Sequence, residues 1–280
     1  MKEKVAVIIL NYMSWRETIS ELLLCNEKLQ IDYKNIIVVD NNSPNDSKSQ
    51  IESFSHKNNF VFLTSSENRG YGAGNNIGLR YAISCGYKYA LIINNDIEFT
   101  DNNLIKELLS VFEKDKTLAV VIPDIYSPTG YLFNRDSVKP TFFDYTIGML
   151  SYKRKGRLLN RLDGYGYVYR PQGCCMMGDL DKISEINFFD ENVFLYYEEC
   201  ILAERLLEKG YLCACNFNSR VIHNHSRTVK SVLGIRKIIN IYNSSFSYYL
   251  THYRKFNCFK TRVCCIFNWI KMYISFFCSK

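Results

Sequence analysis

The apolar run Ala90-Leu-Ile-Ile93 breaks off at Asn94-Asn95-Asp96, and that break constrains the fold more than any other stretch of the chain. A short run without polar alternation predicts a strand buried on both faces, as in a sheet covered by helices. Polar residues at the carboxyl end of such a strand stand where open α/β sheets gather their ligands. A carboxylate beside two amides there suits a hard divalent cation that also touches phosphate oxygens. Asn and Asp are also ordinary turn formers, so a plain turn after a core strand is the other reading.

The same pattern recurs upstream. Val5–Leu10 predicts a buried strand that stops at Asn11-Tyr12, and Asn35–Asp40 predicts a second that runs into Asp40-Asn-Asn-Ser-Pro-Asn-Asp46. Val61-Phe-Leu63 predicts a third. Ser14 is placed to cap a helix through about Cys25, with Glu17 completing a capping box. A further helix is expected through about Ser84. Strands alternating with helices over residues 1–100 predict a doubly wound sheet.

Glu67-Asn-Arg-Gly-Tyr-Gly-Ala-Gly-Asn-Asn-Ile-Gly78 invites comparison with phosphate loops. Asn75 occupies the place where the dinucleotide fingerprint needs its last glycine, and the stretch follows the third strand rather than the first. No Gly-Lys-Ser/Thr follows, which excludes a Walker loop. Two readings remain. The glycines and Arg69 form a helix N-terminus suited to a diphosphate, or the glycines let a helix pack closely on its strands.

Downstream, Cys174–Met177 reads as a buried strand. Glu198 and Glu199 open a helix with Leu202, Leu206 and Leu207 on its apolar side and Gly210 at its end. Carboxylates there favour the helix dipole, and one of them can equally serve as a general base. A short strand, Ser219–Ile222, precedes His223 and His225.

Composition sharpens the picture at the end of the chain. With 280 residues, 47% of them apolar, a large core is available. The net charge of +7 is uneven: residues 209–280 hold twelve Lys and Arg and no Asp or Glu, leaving 23 basic against 28 acidic residues before them. A basic tail on an acidic body points to an anionic partner. No nucleic-acid recognition motif accompanies it. The tail predicts two helices. Ile235, Ile238, Ile239, Tyr242, Phe246, Tyr249 and Leu250 share one face of the first, and Phe256, Phe259, Val263, Ile266, Ile270, Tyr273 and Phe277 recur in threes and fours along the second. Lys255, Lys260, Arg262 and Lys271 fall off that second row, which suits a membrane interface. A dimer contact or a cover packed on the body is the alternative. No run of 18 uncharged apolar residues is present, so no membrane-spanning helix is expected. Met1-Lys-Glu-Lys leads into too short an apolar run for a secretory signal. The eleven cysteines lack paired metal spacing, so they are expected as reduced thiols in the cytoplasm.

Taken in order, Val7-Ile-Ile-Leu-Asn-Tyr12, Val38-Val-Asp-Asn-Asn-Ser43, Glu67–Asn75, Leu91-Ile-Ile-Asn-Asn-Asp96, Phe188-Phe-Asp-Glu191, Phe194-Leu-Tyr-Tyr-Glu-Glu199 and Val221-Ile-His223 resemble the family 2 inverting glycosyltransferases, close to rhamnosyltransferase-like members. The resemblance covers roughly residues 5–230. It implies a GT-A fold: an α/β mixed sheet flanked by helices, here followed by a helical basic tail at 231–280. Residues 1–100 would be the nucleotide-sugar half and 101–230 the acceptor half.

The resemblance also implies roles. Asp40 would meet the pyrimidine ring of a UDP- or dTDP-sugar, with Asn11, Tyr12 and Asn42 around it. Asn68, Arg69, Gly70 and Asn75 would lie beside the nucleotide and diphosphate. Asn94-Asn95-Asp96 stands where the family has D-x-D, so Asp96, with His223 or His225, would hold Mg²⁺ or Mn²⁺. Ser226 and Arg227 would reach the diphosphate oxygens. Gly173, Cys174 and Glu198 would line the acceptor side, and Glu199 would be the base. The chain departs from the family's Glu-Asp-x-Asp by reading Glu198-Glu-Cys-Ile201. The implied partners are a nucleotide sugar, a lipid-linked or saccharide acceptor and an anionic membrane surface, at the inner face of the plasma membrane and with a homodimer as an option. A sugar nucleotidyltransferase and a non-catalytic sugar-binding protein are the rival readings.

Overall fold

A computed structural model describes residues 4–133, 137–149, 163–224 and 234–277. Four parallel strands build its first half. β1 (Val5–Asn11) lies between β2 (Ile36–Asp40) and β4 (Tyr89–Ile93), and β3 (Val61–Thr64) extends the sheet beyond β2. Every residue of β2 and β4 is buried, which is why their sequences run apolar without alternation. Two helix layers cover them. α1 (Trp15–Leu29) and α2 (Ser47–Asn58) pack on Val5, Val7 and Ile9, while α3 (Tyr71–Ser84) packs on Ala6 and Ile8.

The second half makes the sheet mixed. After β5 (Ile97–Phe99), α4 (Leu104–Lys114) carries its own buried stripe of Leu104, Leu108, Val111 and Phe112. β6 (Leu118–Tyr126) and β7 (Tyr165–Val168) follow. β8 (Cys175–Asp179) then inserts antiparallel between β4 and β6. After α5 (Leu180–Glu185) and α6 (Glu198–Glu208), β9 (Leu212–His223) runs the length of β6. Among the described residues, the nine strands lie in the order β3-β2-β1-β4-β8-β6-β9-β5, with β7 against β9. β9 is longer than the expected Ser219–Ile222, and Cys213, Ala214 and Cys215 are all buried because both its faces are covered.

The tail forms α7 (Ile235–His252) and α8 (Cys258–Phe277). α7 buries Ile238 and Ile239 near its start, and Phe246, Tyr249 and Leu250 against Val193, Cys200 and Ile201 next to and on α6. Ile235, expected on that face, sits in the first turn and is 53% exposed. Leu207 likewise falls outside the α6 core stripe, which runs through Leu202 and Leu206.

Candidate active site

The parallel strands all end at one edge of the sheet, and the register places Asn11 of β1 opposite Asp40 of β2. Asn11 Nδ2 donates to Asp40 Oδ1 at 2.6 Å, and Thr18 Oγ1 donates to Asn11 Oδ1 at 2.8 Å. Ser43 completes the carboxylate's shell, with its hydroxyl on Oδ1 at 2.6 Å and its amide on Oδ2 at 3.0 Å. Asn11 and Asp40 are thus a buried floor. The residues that follow are more open: Tyr12 is half-buried, and Asn42, which takes the left-handed conformation at φ 57°, is exposed. Asn41 Nδ2 ties this floor to the next loop through Asn68 Oδ1 at 3.0 Å and the carbonyl of Gly70 at 3.1 Å.

The glycines of α3 are there for close approach. A Cβ on Gly70, whose φ is +101°, would lie 1.9 Å from the carbonyl oxygen of Phe194. One on Gly74 would lie 2.5 Å from Leu10 Cδ1, and one on Gly78 would lie 2.8 Å from Ile8 Cγ2. The amides of Gly70 and Tyr71, at the start of α3, donate to Asn68 Oδ1 and the Phe194 carbonyl. Arg69 pairs with Glu191 at 2.9 Å and with Glu67 at 3.6 Å. Asn75 is wholly buried, with Nδ2 on the Tyr71 carbonyl.

Asp96 is set by contacts from three directions. Asn95 Nδ2 donates to Ser14 Oγ at 2.8 Å and Thr18 Oγ1 at 2.9 Å, fixing the turn after β4 to the start of α1. Ser14 therefore holds the N-cap position of α1 without capping it: its hydroxyl serves Asn95 and the Tyr12 carbonyl, and the expected capping box does not form. Glu21 Oε2 accepts the amide of Ile97 at 3.2 Å. Burial pushes the Glu21 carboxyl well above the usual carboxylate range, against the lowering effect of that amide. On the far side, β5 pairs Ile97 with His223, and the Asn224 amide donates to the Asp96 carbonyl at 2.9 Å. His223 Nε2 consequently lies 3.1 Å from Asp96 Oδ1.

A carboxylate and an imidazole on one side suit Mg²⁺ or Mn²⁺, which keep most of their six positions for water and phosphate oxygens. Among the described residues no group of three His, Cys, Asp or Glu forms an all-protein cage. His225, Ser226 and Arg227 lie outside the described residues.

Gly173 and Cys174, expected on the acceptor side, come to the same edge at the start of β8. Cys175 pairs with Ile93, and the amide of Asn94 donates to the Cys174 carbonyl at 2.9 Å. Burial pushes the Cys174 thiol well up, and the charges of Asp96 and Glu199 both act on it. Glu199 Oε1 accepts the amide of Gly173 at 3.1 Å, while Tyr71 Oη donates to the Gly173 carbonyl at 2.7 Å. Asp96, Cys174, Gly173 and Glu199 are thereby linked through neighbouring backbone.

The two adjacent glutamates differ sharply. Glu198 is buried and its Oε2 meets no hydrogen-bond partner among the described residues, so burial first, then the charge of Glu199, holds its carboxyl well above the usual range. Glu199 is only half-buried. Their helix is aimed by Tyr196 and Tyr197, both left-handed at φ 71° and 67°, with the Tyr197 ring stacked on Phe246 and Tyr249 of α7. Ile201, where the family has its second acid, is a fully buried core residue.

Thr18, Glu21 and Tyr71 support this edge without having been singled out from the sequence. Thr18 and Glu21 had a signal: they fall on the buried stripe of α1 with Leu22, Cys25 and Leu29, where a carboxylate is out of place. Tyr71 gave none, because an aromatic residue inside a glycine loop reads as packing.

Comparison with known proteins agrees with this architecture. The chain is 26% identical over 202 residues to the low-salt glycan biosynthesis hexosyltransferase Agl10 of Haloferax volcanii, covering 66% of this chain and 61% of that one. It thus spans about three fifths of that relative's length. Among solved structures, the mannosyltransferase PcManGT of Pyrobaculum calidifontis, in complex with GDP-Man and Mn²⁺, superposes with a TM-score of 0.60 at 14% identity, over 90% of this chain and 65% of that one. S. aureus TarS 1–349 in complex with UDP-GlcNAc superposes with a TM-score of 0.58 at 13% identity, over 98% and 73%. These likenesses identify the fold as the GT-A type. The profile of glycosyl transferase family 2 matches residues 6–179, and the chain belongs to that family.

Proposed function

We propose that this chain transfers a hexosyl or deoxyhexosyl group from a UDP- or dTDP-linked donor to a lipid-linked or saccharide acceptor, with inversion, in the synthesis of a bacterial surface polysaccharide such as O-antigen or capsule. The observation that carries the reading is the meeting at one sheet edge of a carboxylate–imidazole pair, Asp96 and His223, with a half-buried carboxylate, Glu199, held by Gly173. Membership of a transferase family supports it, as do neighbours solved with nucleotide sugars.

The donor side is assigned to residues 1–100. Tyr12, Asn42, Asn68, Arg69 and Asn94 would face the nucleotide, while Asn11, Asp40, Gly70, Asn75 and Asn95 shape and brace the floor beneath it. Asp96 and His223 would hold Mg²⁺ or Mn²⁺, which when bound neutralises charge on the departing nucleoside diphosphate.

On the acceptor side, Gly173, Cys174 and Glu198 form the wall and Glu199 acts. Glu199 takes the proton of an acceptor hydroxyl as that oxygen bonds to the anomeric carbon. The bond to the diphosphate oxygen breaks on the opposite face, and the configuration inverts. Burial, and after it the charge of Glu199, holds the Glu198 carboxyl well above its ordinary range and so disfavours a second charge beside the proposed base. The rhamnosyltransferase-like pattern, with one acid in place of D-x-D, motivates the deoxyhexose option. Residues 231–280 are assigned as an appended helical unit.

The test is transfer or slow hydrolysis of radiolabelled UDP- and dTDP-sugars by the full chain with Mn²⁺, Mg²⁺ or EDTA. Cation-dependent release of the nucleoside diphosphate is the expected result. No turnover of any nucleotide sugar, with binding retained, would return the reading to a non-catalytic sugar-binding protein.

A further inference from the structure

The last helix packs with the wrong side in. α8 turns Thr261, Cys264 and Asn268 towards the body, and Asn268 Nδ2 donates to Asn243 Oδ1 of α7 at 2.8 Å. Its large apolar residues point the other way. Phe259 is 74% exposed, Ile266 58% and Ile274 54%, with Trp269, Ile270 and Tyr273 at 40–47%. Spaced by threes and fours, they form one stripe over four turns of helix. A helix covering a soluble body buries its large apolar face and exposes its polar one; α8 does the reverse. Contiguous exposed apolar surface of this kind marks an interaction site.

We propose that this stripe docks α8 flat on an anionic lipid bilayer. Charge decides the occupant. Lys255, Lys260, Arg262 and Lys271 are all exposed on or beside the helix, and residues 209–280 contain no carboxylate side chain. A second copy meeting this face through a two-fold axis would bring the same cations with no acid to pair them. A bilayer with acidic headgroups supplies both a non-polar phase and the opposite charge. Trp269 and Tyr273, with ring centroids 4.5 Å apart, are the side chains that settle at the headgroup boundary. The helix lies on the surface rather than crossing it: no helix among the described residues is long and apolar enough to span a membrane. The neighbouring segment adds to the same end of the molecule, for Phe142 meets Phe256 at 6.2 Å and carries exposed Phe143 and Ile147 beside it. The inference rests on α8 alone and stands whether or not the chain proves to be a transferase.

The test is co-sedimentation of the full chain with vesicles of phosphatidylcholine alone or mixed with phosphatidylglycerol, at low and high NaCl. The variants are the triple change Ile266→Ser, Ile270→Ser, Ile274→Ser and the pair Lys260→Glu, Lys271→Glu. All five side chains are exposed, so circular dichroism and Tm should match wild type. Wild type should pellet with the anionic vesicles only, with binding lowered several-fold but not abolished by high salt. The triple variant should lose about tenfold or more of its partition at any salt, and the charge pair should lose binding at low salt. Equal binding by wild type and the triple variant would overturn the proposal. So would a wild-type dimer that the triple variant converts to monomer without either form binding vesicles.

Discussion

Glu199 Oε1 accepts the amide of Gly173 at 3.1 Å, and a methyl group on Gly173 would stand 2.8 Å from that same oxygen. The tightest contact is with the far end of a flexible side chain, so Gly173→Ala should swing the carboxylate aside rather than break the fold. A displacement of that order at a reacting group lowers kcat by about 10–100-fold. Nucleotide affinity and Tm should hardly move. A wild-type kcat in Gly173→Ala would show that Glu199 does not need this anchor.

The neighbouring glutamates should separate cleanly under amide substitution. Glu199→Gln keeps the Gly173 contact but cannot accept a proton, so the rate should fall about 10²–10⁴-fold. Glu198→Gln should leave most of the activity and stabilise the protein. The sign follows from burial, which holds the Glu198 carboxyl above its ordinary 4.5 in the folded chain. Stability is then fullest below that ordinary value and is lost as pH rises through the folded-state value. An uncharged amide at this position removes the loss, so the Tm advantage of the variant should grow as the pH rises above that ordinary value. At this chain length each 1 kcal/mol appears as roughly 2–4 °C. A lower Tm together with collapsed activity in Glu198→Gln would transfer the base role to Glu198.

Asp96→Asn should remove the carboxylate proposed to hold the cation while keeping the turn that Asn95 fixes on Ser14 and Thr18. Transfer should drop below about a tenth of wild type, because lost charge stabilisation of the leaving group costs several kcal/mol. Calorimetry gives a second reading. UDP or dTDP should bind wild type more tightly with Mn²⁺ than with EDTA, and the variant should show no such difference. An unchanged Mn²⁺ response would place the cation elsewhere.

The first half of the fold was legible because β1, β2 and β4 are buried on both faces, which writes itself as unbroken apolar runs ending in polar clusters. α2 was not: only Ser47 and Ile51 of its twelve residues are buried, so it carries almost no periodic signal. The candidate site was legible as polar clusters at strand ends, at Asn11, Asp40 and Asp96, which the sheet gathers along one edge. It was obscured where one residue serves two purposes. Ser14 reads as a helix cap but is committed to Asn95, and the glycines at the start of α3 and within it, which read equally as a phosphate loop or as close packing, leave room for Phe194, Leu10 and Ile8. Such commitments depend on residues distant in sequence, which local pattern does not carry. The antiparallel insertion of β8, which brings Gly173 beside Asn94, is likewise a tertiary fact.

The proposed base is held from the tail. Tyr196 and Tyr197 are consecutive non-glycine residues in the left-handed region immediately before Glu198, a conformation that costs of order 1–3 kcal/mol each and persists only where the surroundings impose it. What imposes it is α7: the Tyr197 ring stacks on Phe246 at 4.9 Å and on Tyr249 at 5.4 Å, and Tyr196 packs on Tyr242 at 5.0 Å. Phe246 is 1% exposed, so Phe246→Ala leaves a cavity and should destabilise the chain by about 3–5 kcal/mol. It should also free the Tyr196–Tyr197 turn and lower kcat at a temperature where the variant is still folded, with donor affinity unchanged. Tyr197→Phe retains both stacks and gives up only the 3.3 Å hydroxyl contact to Tyr242, so it should keep nearly full activity. If Phe246→Ala lost stability with no change in kcat below its melting range, α7 would brace the fold without aiming Glu199.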